Sequence, residues 1–193
     1  MTELYEDNTG WRRAMRREMQ TRRAGLSAVE HAARSAQIVE HLIRLLTAPT
    51  IAGFCWPIKG EPDVRLVLEH WAKSGSVAAL PVVIAEASPL GFRPWSSETR
   101  LEDDRYGIPT PVDGEFVTPD LLLMPLNGFD AAGYRLGYGG GYFDRTLAAL
   151  SPRPLAVGVG FEINRLESIR PEIHDQRLDW IVTETGAFRP VGA

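Results

Sequence analysis

Between an apolar run, Leu121-Leu122-Leu123-Met124-Pro125, and a helix-like stretch, Arg145 to Leu150, lies Gly133-Tyr134-Arg135-Leu136-Gly137-Tyr138-Gly139-Gly140-Gly141-Tyr142-Phe143-Asp144-Arg145. Five of these thirteen residues are glycine. A strand, a glycine-rich turn and a helix in that order constrain the chain towards an α/β fold. They also present backbone N–H groups and a helix N-terminus to a phosphate. Arg135, Asp144 and Arg145 add charge to the same few turns.

The rest of the chain supports that layout. Asn8 or Thr9 can cap a helix over roughly Trp11 to Ala24, on which Arg12 and Arg16 share a face, as do Arg13 and Arg17. Ser27-Ala28-Val29-Glu30 is a capping box that opens a second helix, to about Leu46. Strand signals follow at Thr50 to Trp56, Val77 to Ile84, Leu121 to Pro125, Leu155 to Phe161 and Trp180 to Thr183, with a helix at Pro62 to Trp71. This alternation predicts one domain over residues 1–193, with a largely parallel sheet covered by helices on both faces, a Rossmann-like three-layer arrangement. Residues 1–9 read as a flexible tail. Leu90 to Val117 breaks the rhythm and reads as a hairpin or excursion. In open α/β sheets ligands bind beyond the carboxyl ends of the strands. The segments following the strands, Pro57 to Asp63, the glycine loop, Glu162 to Asn164 and Pro171 to Asp175, are therefore expected to build one composite site.

Composition narrows the class. A net charge of −4 argues against a nucleic-acid binder by bulk electrostatics, although six arginines lie between Trp11 and Arg23. Only two lysines occur, Lys59 and Lys73, and neither is close in sequence to Arg12. The single cysteine, Cys55, excludes an internal disulfide and reads as a buried thiol in a reducing compartment. No apolar run is long enough to span a bilayer. The acidic N-terminus lacks the core of a signal peptide, so a cytoplasmic location is expected.

Phe129-Asp130, Gly133, Arg135-Leu136-Gly137, Gly139 and Gly141-Tyr142-Phe143-Asp144 together resemble the signature of the 5-formyltetrahydrofolate cyclo-ligase family. Arg12, Met15-Arg16, Arg22-Arg23 and Leu26-Ser27 resemble its basic first helix, and Glu61-Pro62-Asp63 its acidic segment. Tyr106-Gly107-Ile108-Pro109-Thr110-Pro111 and His174-Asp175, Leu178-Asp179, Thr183-Glu184 resemble two further motifs in order. The resemblance implies an α/β domain of the cyclo-ligase and NagB/RpiA/CoA-transferase-like kind. It also implies ATP and Mg²⁺ as cofactors and conversion of 5-formyltetrahydrofolate to 5,10-methenyltetrahydrofolate. In the implied chemistry the formyl oxygen attacks the γ-phosphate, N10 closes the ring, and phosphate leaves.

Carried over residue by residue, the resemblance makes Arg12, Arg16 and Arg135 catalytic. It assigns ATP to Arg12, Arg13, Arg16 and the run Arg135, Leu136, Gly137, Tyr138, Gly139, Gly140, Gly141, Tyr142 and Phe143. It assigns the folate to Ile58, Glu61, Asp63, Tyr106, Gly139, Gly140, Gly141 and Tyr142, and Mg²⁺ to Asp144 and Asp175. Several alternatives stay open. Either Glu61 or Asp63 meets the pterin and the other caps the following helix; Asp144 is a ligand or a helix N-cap; Tyr142 lines the pocket or packs the helix. His174 is expected to be structural. Three positions depart from the family pattern: Arg12 replaces a common lysine, Thr110 a frequent glutamate, and Asn164 a common glutamine. The expected partners are a folate and ATP, without nucleic acid or membrane, in a monomer or weak homodimer. A family relative acting on another pterin or amide, and an RNA-binding module built on the arginine helix, are the competing readings.

Overall fold

The structure is a computed structural model that describes residues 8–190. Two helices come first, α1 (Asn8–Ala24) and α2 (Ala28–Leu45). They are followed by β1 (Ile51–Phe54), α3 (Arg65–Ala72), β2 (Val77–Val82), β3 (Gly91–Trp95), β4 (Leu101–Asp103) and β5 (Pro109–Pro111). The second half holds β6 (Leu121–Pro125), β7 (Gly128–Phe129), β8 (Arg135–Leu136), α4 (Tyr142–Ala149), β9 (Leu155–Val159), a 3-10 turn at Glu162–Asn164, β10 (Trp180–Thr183) and β11 (Gly186–Phe188).

Seven strands form the main sheet in the order β11-β10-β9-β6-β1-β2-β3. The five inner strands are mutually parallel, and β3 and β11 close the edges antiparallel. Residue alternation along β6 explains the three layers. Leu121 and Leu123 point into a core with Ile38 and Leu42 of α2 and Val67 and Trp71 of α3. Leu122 and Met124 point to the opposite face, with Leu147 of α4. The chain moves outward from β1 to β2, then returns to β1's other side as β6. Strand order reverses between β1 and β6, so a crevice opens beyond their carboxyl ends.

The expected α/β sheet is present, with boundaries moved by local chemistry. Ser27 and Glu30 form the reciprocal capping box. The helix expected from Pro62 starts instead at Arg65, where the Asp63 carboxylate accepts from the Arg65 N–H and residues 61–64 stay non-helical. The last helix starts earlier than expected, at Tyr142. Asn8 and Thr9 lie inside α1, and Asn8 is tied to Arg170 and Glu172 by its side-chain amide. The rest of the expected tail, residues 1–7, lies outside the described residues. The excursion from Leu90 to Val117 contains edge strand β3 and the β4–β5 hairpin.

Candidate active site

The crevice at the β1–β6 reversal is a cavity of about 480 Å³. Three segments build most of it: α1, the turn after β1, and the loop from β8 into α4. The hairpin turn at Asp104 to Thr110 and the loop Glu172 to Asp175 complete the wall.

The position of α1 follows from an unusual stripe. Arg12, Met19 and Arg23 are its buried residues, so this helix docks largely through guanidinium stems rather than aliphatic side chains. Arg12 lies along Asp175, with Nη2 donating to Oδ1 at 3.1 Å and Nη1 3.0 Å from Oδ2. Arg12 Nε is buried without a partner among the described residues. Arg16 donates from Nε to the Gly137 carbonyl at 2.8 Å and forms no ion pair among the described residues. Burial, and then the neighbouring Arg12 charge, pull its pKa below the ordinary arginine value. Arg13 points to solvent outside the cavity, because it lies off the buried stripe.

The glycine loop carries specific backbone demands. Gly139 has φ +101°, and a Cβ there would stand 3.3 Å from Arg16 Cζ. Gly141, with φ 63°, is the N-cap of α4. Asp144 sits in the first turn of α4 and is not its cap. Its carboxylate instead accepts from Gln176 N–H at 3.0 Å and lies 3.1 Å from Arg135 Nη1. Arg135 is only 6% exposed. Leu136 alternates away from it into the interior and does not line the cavity.

On the opposite wall Glu61 is 4% exposed. Tyr138, expected among the ATP residues, turns its hydroxyl to this wall and donates to Oε1, and the Ile58 N–H donates to Oε2 at 3.1 Å. Burial pushes the Glu61 carboxyl above its ordinary range, opposed first by the Tyr138 hydrogen bond and then by Ile58 N–H, Arg23 and Lys59. Asp63 points elsewhere: it pairs with Arg65 and lies outside the cavity lining. Tyr106 and Tyr142 meet at the mouth, hydroxyl to hydroxyl at 3.0 Å, and Arg105 donates to both. His174 is a largely exposed rim residue 3.5 Å from Glu172.

Two residues were given no individual role by the sequence reading. Lys59 is far from Arg12 along the chain yet lines the same cavity, with its ammonium 5.1 Å from the Tyr138 ring centre. Its φ of 49°, beside Gly60 at 71°, is the turn that places it there. The second is Arg23, behind the wall. Of the departures from the family pattern, Thr110 lines the cavity, whereas Asn164 is fully buried and donates to the Asn127 carbonyl.

Asp144 and Asp175 both line the cavity, but no group of three or more acidic, histidine or cysteine side chains forms a metal cage among the described residues. Two hard carboxylates nevertheless suit magnesium, which takes its remaining ligands from water and phosphate.

A parallel-sheet domain with an arginine-lined, glycine-looped crevice at its topological switch point has the layout of an α/β enzyme. The chain belongs to the 5-formyltetrahydrofolate cyclo-ligase family, whose model matches residues 8–184, and is a ligase. It is 28% identical to the 5-formyltetrahydrofolate cyclo-ligase of Haemophilus influenzae, covering 87% of this chain and 95% of that one. The Escherichia coli enzyme of the same name is 32% identical, over 72% of this chain and 80% of its own. The solution structure of 5,10-methenyltetrahydrofolate synthetase from Aquifex aeolicus superposes with a TM-score of 0.79 at 29% identity, covering 94% of each chain.

Proposed function

We propose that this protein converts 5-formyltetrahydrofolate to 5,10-methenyltetrahydrofolate at the expense of ATP, releasing ADP and phosphate. The observation that carries the ATP reading is the Arg12–Arg16 pair. Two guanidiniums stand together in the cavity wall, one with a buried unpartnered Nε and the other without an ion pair among the described residues. A polyanion beside Gly139 relieves that repulsion and supplies the missing acceptors. The loop N–H groups leading into α4 add further donors.

The reaction has to make an amide oxygen leave. The formyl oxygen attacks the γ-phosphorus, forming an O–P bond as the bond to ADP breaks. N10 then attacks the formyl carbon and loses its proton, and the former formyl oxygen departs with phosphate. Arg12, Arg16 and Arg135 hold the phosphates in line and neutralise charge that develops on the transferring group. Glu61 accepts hydrogen bonds from the pterin's N–H groups, and Tyr106, Tyr142 and Ile58 form the walls around it. Asp144 and Asp175 would hold Mg²⁺, which would supply charge neutralisation at the phosphates. Both carboxylates are engaged by arginines, Asp144 by Arg135 and Asp175 by Arg12. Phosphate oxygens offer those guanidiniums alternative partners, which frees the acids for a cation.

The arginine helix gives little support to an RNA-binding module, because Arg12 and Arg23 are buried against the protein instead of being presented outward. The decisive assay mixes protein, Mg-ATP and 5-formyltetrahydrofolate. The methenyl chromophore is expected to appear with one ADP and one phosphate per turnover, and only with all three present. ATP binding without turnover of this folate would instead favour a different pterin or amide substrate.

A further inference from the structure

Arg23 is the largest charged side chain in the interior, 1% exposed. A buried arginine is normally paired with an acid, yet no carboxylate among the described residues forms an ion pair with it. Its five N–H donors are nonetheless all used. Nε and Nη2 reach the Lys59 carbonyl at 3.3 and 3.2 Å. Nη1 reaches the Leu126 carbonyl at 3.3 Å and Asn127 Oδ1 at 3.0 Å. The remaining Nη2 proton goes to the Tyr138 hydroxyl at 3.3 Å. Tyr138 in turn donates to Glu61 Oε1.

We propose that Arg23 is a positioning residue for folate binding, acting on Glu61 through Tyr138. The proposal rests on the reading of Glu61 as the pterin acceptor. A guanidinium donating to a phenol oxygen polarises its O–H and strengthens the next bond in the chain. The same guanidinium fixes the turn after β1 by the Lys59 carbonyl and the segment after β6 by Leu126 and Asn127. One side chain of α1 thus sets the orientation of an acid it does not touch, from outside the cavity lining. Tyr138 cannot give its single proton elsewhere while it serves Glu61, so Oε1 is held in place and Glu61's remaining lone pairs stay available to a ligand.

The charged or titratable groups around Glu61 come from every neighbouring element. They are Arg23 of α1; His31 of α2, whose Nε2 lies 2.9 Å from the Glu61 carbonyl; Cys55 after β1; Lys59 in the same turn; and Tyr138 of the glycine loop. Tyr138→Phe removes only the relay and leaves Arg23 its other hydrogen bonds. Two readouts test it. In ligand-free protein the ¹³C titration of the Glu61 carboxyl is expected to move up by about one pH unit. In turnover the KM for 5-formyltetrahydrofolate is expected to rise about tenfold while the KM for ATP stays within about twofold, as loss of one charge-linked hydrogen bond implies. Arg23→Lys is expected to raise the folate KM similarly in the natural background but by less than about twofold in the Tyr138→Phe background. An unchanged Glu61 titration in Tyr138→Phe would overturn the relay. So would additive effects of the two substitutions, or an equal rise in the KM for ATP, which is what a purely structural role for Arg23 produces. If the natural protein turns over no reduced folate, the functional reading fails instead, and the ligand-free titration still decides the relay.

Discussion

Arg12 and Asp175 stand 163 positions apart in sequence and close a two-bonded ion pair in the cavity wall, at 3.1 and 3.0 Å. Their side chains are 8% and 7% exposed. The pair joins the first helix to the loop before β10, so cavity residues from opposite halves of the sequence share one electrostatic unit.

Removing Asp175 leaves the buried Arg12 with Glu172, at the longer distance of 3.6 Å, as its remaining acidic neighbour among the described residues. Asp175→Ala is expected to cost about 3 kcal/mol of stability. The Arg12→Ala/Asp175→Ala double variant is expected to lose less than the sum of the two single changes. Urea unfolding with constant m-values checks both, and additive losses would deny the coupling.

Glu61→Gln keeps the volume and an acceptor for Tyr138 but removes the charge. Its kcat/KM for 5-formyltetrahydrofolate is expected to fall about 10- to 100-fold, in line with the loss of a charged hydrogen-bond partner. ATP affinity by calorimetry is expected to stay within about twofold.

The pH dependence follows from the same residue. Burial holds the Glu61 pKa above its ordinary value of 4.5. The folded state therefore keeps this proton over a window in which the unfolded state has lost it. Glu61's contribution to stability accordingly declines as pH rises from its unfolded pKa to its folded one. With Glu61 as the proposed pterin acceptor, activity is expected to move oppositely, since the ionised form would be the one that accepts. The acid limb of kcat/KM for the folate is expected above the ordinary carboxylate range, and Glu61→Gln is expected to remove that limb.

At Gly139, alanine meets both a left-handed backbone and the Arg16 guanidinium. Gly139→Ala is expected to cost about 1–2 kcal/mol and to weaken ATP binding about tenfold. At Gly137, φ is not in the left-handed range and a Cβ meets nothing within 4 Å. Gly137→Ala is therefore expected to change the thermal midpoint by less than half as much.

Cys55 lines the cavity, but burial, with the Glu61 charge adding to it, pushes its thiol pKa up. Alkylation by iodoacetamide at pH 8 is expected to be slow in the native protein and fast in urea, because the thiolate is the nucleophile. Native labelling as fast as in urea would contradict this electrostatic environment.

Much of the sheet was legible residue by residue. β6 is apolar throughout and ends at Pro125, and β10 is a short apolar run, so both match their expected bounds. The capping box at Ser27 and Glu30 is local chemistry within four residues and was equally readable. β7, β8 and β11 were not, because strands of two or three residues exist only where a partner supplies the ladder. In the site, Arg12, Arg16, Arg135 and the glycines carry a motif. Arg13 belongs to the first-helix motif and Leu136 to the loop signature, but helix rotation and strand alternation turn them away from the cavity.

Sequence alone determined the order of the longer strands and helices, the glycine turn and the residue types the cavity draws on, because these depend on neighbours within a few positions. Tertiary structure decided which charges lose their water. Arg22 and Arg23 are adjacent and chemically identical, yet Arg22 pairs with Glu18 on the surface while Arg23 is enclosed by Lys59, Leu126, Asn127 and Tyr138. Glu61 and Asp63 diverge in the same way, one enclosed in the cavity wall and the other paired with Arg65. Desolvation depends on segments brought together from distant parts of the chain, and it is desolvation that raises the Glu61 pKa.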